Sequence, residues 1–300
     1  MNTSIERILV PTDTSEFSNL ALRYALLFQK RLGSQVTLLY AEEFTFLFSG
    51  EYPIGYYFEN VPEVKKHAGE LLRKYAQEHV PPSAPVATMI MDDTPARGIL
   101  IAADDIDADL ILMGTHGRHG LRRALLGSVT ERVLRETDRP VMTVAPRLFP
   151  ANGEVKIETI LCPVNFTDVA HQSLEQACAF AEVFGAELIV VHVAEPDDTH
   201  GQSVEARFSG WIDPLVRNRT RYQQVLVSGD PAAQILDVAE RIGVDLIVIG
   251  AQHRRFSDAT VIGTTTERIT RFARQPVLTI VRRASAETRR EREPELVATV

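Results

Sequence analysis

At 300 residues, with 45% hydrophobic and 24% charged side chains, the chain has the make-up of a soluble globular protein and enough length for two domains that each bury a core. A formal net charge of −8 argues against a duplex nucleic-acid binder, which shows a basic face, and no apolar run approaches the length of a membrane span. The opening MNTSIERILV carries no signal-peptide pattern, and Cys162 and Cys178 both sit in apolar runs, so neither a disulfide framework nor a metal cluster is expected and a reducing cytoplasm fits.

Taken in chain order, short β-branched runs alternate with helix-length amphipathic segments, the sign of β-α-β units and a parallel sheet. Strands are predicted near 6–11, 35–41, 85–91, 109–114 and 140–145, and helices near 16–32, 62–79, 95–106 and 127–137, with Pro140 as a stop after the last. LFPANGEVK at 148–156 reads as a linker. Strands then resume near 158–163, 186–193, 222–228, 245–250 and 276–281, and the tail 284–300 is dense in alternating charges, as in a disordered segment or a solvated helix.

The second series is a copy of the first. ADLILMGTHG at 108–117 is echoed by VDLIVIGAQH at 244–253, and LLGSVTERV by VIGTTTERI, at a constant offset of 136; IERILVPTDTSE at 5–16 matches IETILCPVNFTD at 157–168 at an offset of 152. The first copy therefore holds about 16 extra residues between its second and third strands. Its insertion at 44–61 packs seven aromatics into fifteen residues, too dense to be left in water, and is expected at an interface between domains or subunits, with a lid over the crevice as the other reading.

In open parallel sheets ligands bind beyond the carboxyl ends of the strands, where strand order reverses. Two segments meet there: PTDTSE after the first strand, and GTHGRHGLRRALLGSVT at 114–130 after the fourth. The glycines miss the dinucleotide spacing and no Lys follows Gly127, so neither a Rossmann fingerprint nor a P-loop is present. They do match G-x2-G-x9-G-[ST] at Gly114, Gly117, Gly127 and Ser128. Gly114 and Gly117 let backbone approach a polyphosphate, while the amides of Gly127, Ser128 and Val129 and the Ser128 hydroxyl open a helix at its positive end. The alternative is a tight turn with an ordinary serine cap. Replacing Gly117 or Gly127 by a bulky residue is expected to abolish phosphate binding and leave the fold intact. Asp13, with Thr12 beside it, can accept from a sugar hydroxyl or an amino group, or else TDTSE serves as a helix cap.

With that loop after a D-L-I-L strand and PTDTSE after the first, the chain resembles the universal stress protein family over both copies, residues 4–147 and 156–283. The resemblance implies an α/β fold of two tandem domains, 1–147 and 156–283, each an open five-stranded parallel sheet with helices on both faces, of the adenine-nucleotide α-hydrolase-like type. It further implies ATP as ligand, with magnesium assisting, Asp13 facing adenine or ribose, the backbone of Ala41 against adenine, and pairing through the last strands RPVMTVAP and QPVLTIVR as a pseudo-dimer within the chain. A homodimer of whole chains stays open.

The copies are unequal. In the second, Asn165 stands at the place of Asp13 and His253 at that of the second glycine, while Val193, Gly250, Gly263 and Thr264 keep their places as binding residues. A side chain at 253 crowds phosphates and asparagine lacks the charge, so nucleotide is expected mainly in the first domain. The leading expectation is an ATP-binding stress-response module that works through conformation and association with an unidentified protein partner, with no catalytic constellation. The alternatives are a scaffold or small-ligand sensor without nucleotide, and an ATP-using enzyme of the same fold group.

Overall fold

Each β-branched run becomes a strand whose alternate side chains enter two different cores. The computed structural model describes residues 5–43, 54–115, 126–145, 154–194, 203–251, 253–256 and 259–281. Domain 1 comprises β1 (Arg7–Pro11), α1 (Glu16–Leu32), β2 (Gln35–Glu42), α2 (Ile54–His79), β3 (Val86–Asp92), α3 (Pro95–Asp105), β4 (Leu110–Gly114), α4 (Ser128–Glu136) and β5 (Val141–Val144). Domain 2 repeats this with β6 (Thr159–Pro163), α5 (Asp168–Phe184), β7 (Glu187–Ala194), α6 (Val204–Val216), β8 (Tyr222–Ser228), α7 (Pro231–Ile242), β9 (Leu246–Ala251), α8 (Thr264–Phe272) and β12 (Val277–Val281). Between β9 and α8 it adds a hairpin, β10 (His253–Phe256) and β11 (Ala259–Ile262), which packs against α4. The tail and residues 44–53 of the aromatic insertion lie outside the described residues.

The strands form one ten-stranded sheet in the order β3-β2-β1-β4-β5-β12-β9-β6-β7-β8. Neighbours within a domain run parallel, whereas β5 and β12 pair antiparallel, with Leu278 opposite Met142. Strand order reverses between β1 and β4 and again between β6 and β9, which sets a crevice at each carboxyl end.

The two faces of this sheet are covered differently. On one, α1, α2, α5 and α6 share a single apolar cluster that crosses the domain boundary and holds Ile8, Val10, Met142, Cys162 and Leu278. Phe28 of α1 sits edge-on to Phe180 and Phe184 of α5, with ring centroids 5.2 and 5.4 Å away. On the other face the clusters under α3 and α4 and under α7 and α8 are separate, although Ala251 of β9 joins the first of them.

Helix boundaries follow local chemistry. Ser15 caps α1 by accepting from the Ser18 amide, and Gly33 closes it at φ 75°; Thr167 and Gly185 (φ 69°) do the same for α5. The helix predicted from 62 instead begins at Ile54 and passes through Pro62. Its 26 residues against 13 in α6 absorb most of the additional length of the first copy.

Cys162 and Cys178 are both fully buried. Burial pushes the Cys178 thiol up to about 11 and Cys162 higher still, and thiolate is the reactive form. A thiol reagent at pH 8 should therefore find no reactive sulfur in the native protein and two per chain after denaturation; prompt native reaction would show that the shared core opens.

Candidate functional sites

The crevice of domain 1 is built around a sharp turn after β1. Thr12 extends the strand pairing, its amide donating to Leu39 at 2.8 Å, and its buried hydroxyl lies 2.8 Å from the Ser18 hydroxyl and accepts from the Thr14 amide at 2.9 Å. Thr14 has φ 63°, left-handed geometry that a β-branched residue adopts only under constraint. The turn leaves Asp13 half-buried, its Oδ1 accepting from the Ser15 amide (3.1 Å) and hydroxyl (2.6 Å). The carboxylate thus braces the residue that caps α1, while Ser15 itself is the cap.

Ala41, near the end of β2, lies under α3. A Cβ on Gly98 would come 3.0 Å from the Ala41 Cβ, so the glycine lets this helix settle closely over the strand.

The base of the glycine loop is closed by two hydrogen bonds. The Gly127 amide donates to Thr115 O at 2.8 Å, and the Thr130 hydroxyl donates to Gly114 O at 2.9 Å. Gly127 then caps α4, whose first turn consists of exposed Ser128, half-buried Val129 and buried Thr130, three amides for which helical geometry offers no internal partner. These groups lie at the carboxyl ends of β1 and β4, on the side of the crevice that holds Asp13. Residues 116–125, and with them Gly117, lie outside the described residues. For Gly127 the requirement is close approach: a Cβ there would lie 2.9 Å from Thr115 O. A bulky replacement must displace backbone, so the expectation of an undisturbed fold does not hold at this glycine.

Domain 2 repeats the frame with other side chains. Phe166 takes the left-handed position at φ 60°, the Thr167 hydroxyl donates to the Asn165 Oδ1 at 2.8 Å, and the Thr266 hydroxyl donates to Gly250 O at 3.1 Å. Gly250 lies beneath α5, where a Cβ would meet the Val169 Cγ1 at 2.6 Å. Gly263 caps α8 and Thr264 is its exposed first residue. The segment between them differs, because three residues past Gly250 the chain enters the hairpin, with His253 opposite Ile262.

A cavity of about 320 Å³ opens here, with Asn165, Val193 and Gly250 in its wall. Its remaining lining includes residues that sequence reasoning missed. His192, 4% exposed, has Nδ1 2.9 Å from Val164 O and its ring 4.4 Å from that of Phe166; the Arg207 guanidinium lies over the Phe166 ring at 4.1 Å. Phe166 was detectable as the partner of Thr14 at the offset of 152, whereas Arg207 falls where the two copies do not align. Among the described residues, no cluster of three potential metal ligands occurs and no helix is long and apolar enough to cross a membrane.

The model of the universal stress protein family matches residues 4–145 and 156–282. A universal stress protein of Methanocaldococcus jannaschii is 34% identical over 140 residues, spanning 46% of this chain and 81% of the relative. Another, from Mycolicibacterium smegmatis, is 23% identical over 295 residues, 91% of this chain and 96% of its own length. The crystal structure of a universal stress protein from Archaeoglobus fulgidus superposes with a TM-score of 0.70 at 26% identity, over 92% of this chain and 98% of that one.

Proposed function

The chain belongs to the universal stress protein family, and from that premise we propose that it is a stress-response protein whose first domain binds ATP. The observation that carries the reading is the loop base, where Gly114 and Thr115 are tied to Gly127 and Thr130 so that α4 starts at the carboxyl end of β4, the parallel neighbour of the strand that Asp13 follows. A helix N-terminus of this kind suits the phosphates, and a carboxylate suits ribose or the adenine amino group. Magnesium shares the phosphate charge. The nucleotide acts by changing conformation or association with a protein partner; domain 2, with Asn165 and the hairpin, does not hold a triphosphate tightly.

Equilibrium dialysis with labelled ATP tests this directly. About one ATP per chain is expected. No binding overturns the reading, and two equal sites overturn the asymmetry. Asp13→Asn supplies the finer test, because the second copy shows that asparagine keeps the brace to the capping residue. Affinity is expected to fall about tenfold from the loss of one charge-assisted hydrogen bond, with the melting temperature unchanged.

A further inference from the structure

We propose that Arg271, in domain 2, is a positioning residue for the phosphate end of the domain 1 crevice and acts through the carboxylate of Glu131; this rests on the ATP reading above. Because β5 and β12 join the domains antiparallel, α4 and α8 run in opposite senses. Arg271 lies in the last turn of α8 and Glu131 in the first turn of α4, and the Arg271 Nη2 is 4.0 Å from the Glu131 Oε2. A side chain of one domain thus meets the helix end that serves the other.

Glu131 occupies a sensitive place. Its charge suits the positive end of its own helix but opposes a polyphosphate brought to the same end. Left unheld, a carboxylate in the first turn can reach back to the free amides and compete for them. Two arginines hold it. Arg135 of α4 pairs with Oε1 at 2.7 Å, and Arg271 faces Oε2. Arg271 is itself fixed by Glu267, one turn earlier on α8, at 3.1 Å. The four side chains are only 28–42% exposed, so solvent screens these charges in part.

The two copies use this cluster unequally. Arg135 and Arg271 correspond at the offset of 136, as do Glu131 and Glu267, yet Arg135 pairs within α4 whereas Arg271 reaches across the boundary. Domain 2 touches α4 elsewhere too: β11 packs against it, and Ala251 joins the apolar cluster that holds Val133 and Leu134. The placement of α4 therefore depends on both domains.

A purely structural Arg271 would serve α8 alone, as a cation at the carboxyl end of that helix. Dialysis of the full chain with labelled ATP at low salt separates the two roles. Arg271→Gln should weaken ATP about fivefold, Arg271→Lys should lose less, and Glu131→Gln should bind more tightly than the unaltered chain. The pair decides: in the Glu131→Gln background, adding Arg271→Gln should change affinity by less than about twofold, because the carboxylate it restrains is gone. Circular dichroism checks that each variant is folded. Unchanged affinity in Arg271→Gln, an equal loss in both backgrounds, or weaker binding in Glu131→Gln overturns the proposal, and the last comparison needs no change at 271. Absence of ATP binding by the unaltered chain would overturn the nucleotide reading and this inference with it, whereas binding that ignores both residues overturns this inference alone.

Discussion

Phe28→Ala is expected to lower the unfolding free energy by about 4 kcal/mol, the upper range for truncating a buried aromatic. Phe28 is fully buried on α1, and its closest aromatic neighbours, Phe180 and Phe184, belong to α5 of the other domain. The void opens in the largest apolar cluster that both domains share among the described residues, so it should weaken the union of the domains as well as the first domain itself. Denaturant unfolding followed separately by Trp211, which lies in domain 2, and by circular dichroism should give coincident transitions in the unaltered chain. In the variant both should shift to lower denaturant or separate. A loss under about 1 kcal/mol would mean that the site collapses around the missing ring and that strand pairing alone holds the halves together.

Gly127→Val should remove ATP binding, with affinity reduced by about a hundredfold or more, and should destabilise the fold by about 1–3 kcal/mol. Both effects have one source. The new Cβ would fall 2.9 Å from Thr115 O, a backbone atom that cannot rotate aside, so the first turn of α4 must shift away from the crevice. The matching change in the second copy, Gly263→Val, is the control: among the described residues no atom beyond its chain neighbours lies within 4 Å of a Cβ there, and the backbone has φ −56°. It should cost no more than about 1 kcal/mol, the loss of a favourable N-cap residue, and leave ATP affinity alone. Equal damage from the two substitutions would show that the glycine spacing reflects helix capping in general rather than a phosphate site.

Much of the architecture was legible because sequence periodicity and turn chemistry agree. The helix predicted at 16–32 is α1, bounded by a serine cap and a left-handed glycine, and the strands predicted near 109–114 and 245–250 fall within one residue of β4 and β9. Pro62 misled in a specific way. Proline is favoured at the first position of a helix, so the segment reads as a start, whereas α2 runs through it from Ile54. The hairpin was hidden by the repeat itself: HRRF and ATVI are two short runs separated by Ser-Asp in the sequence, yet alignment with the glycine loop of the first copy suggested another loop. In domain 1, Gly114, Gly127 and Ser128 were nameable from their spacing, and Asp13 from its place after the first strand and the family resemblance. The wall formed by Phe166, His192 and Arg207 was not, because its members come from a turn, a strand and a helix that only the fold brings together.

The antiparallel joint between β5 and β12 has a consequence for traffic into the molecule. Within the ten-stranded sheet every strand of one domain runs opposite to every strand of the other, so their carboxyl ends, and the mouths of the two crevices, emerge at opposite rims of the sheet. A partner lid closing one mouth leaves the other accessible, and no compact ligand spans both. Routes for a message across the domain boundary include the joined strands, the layer where α1 meets α5, and the contact of the hairpin with α4.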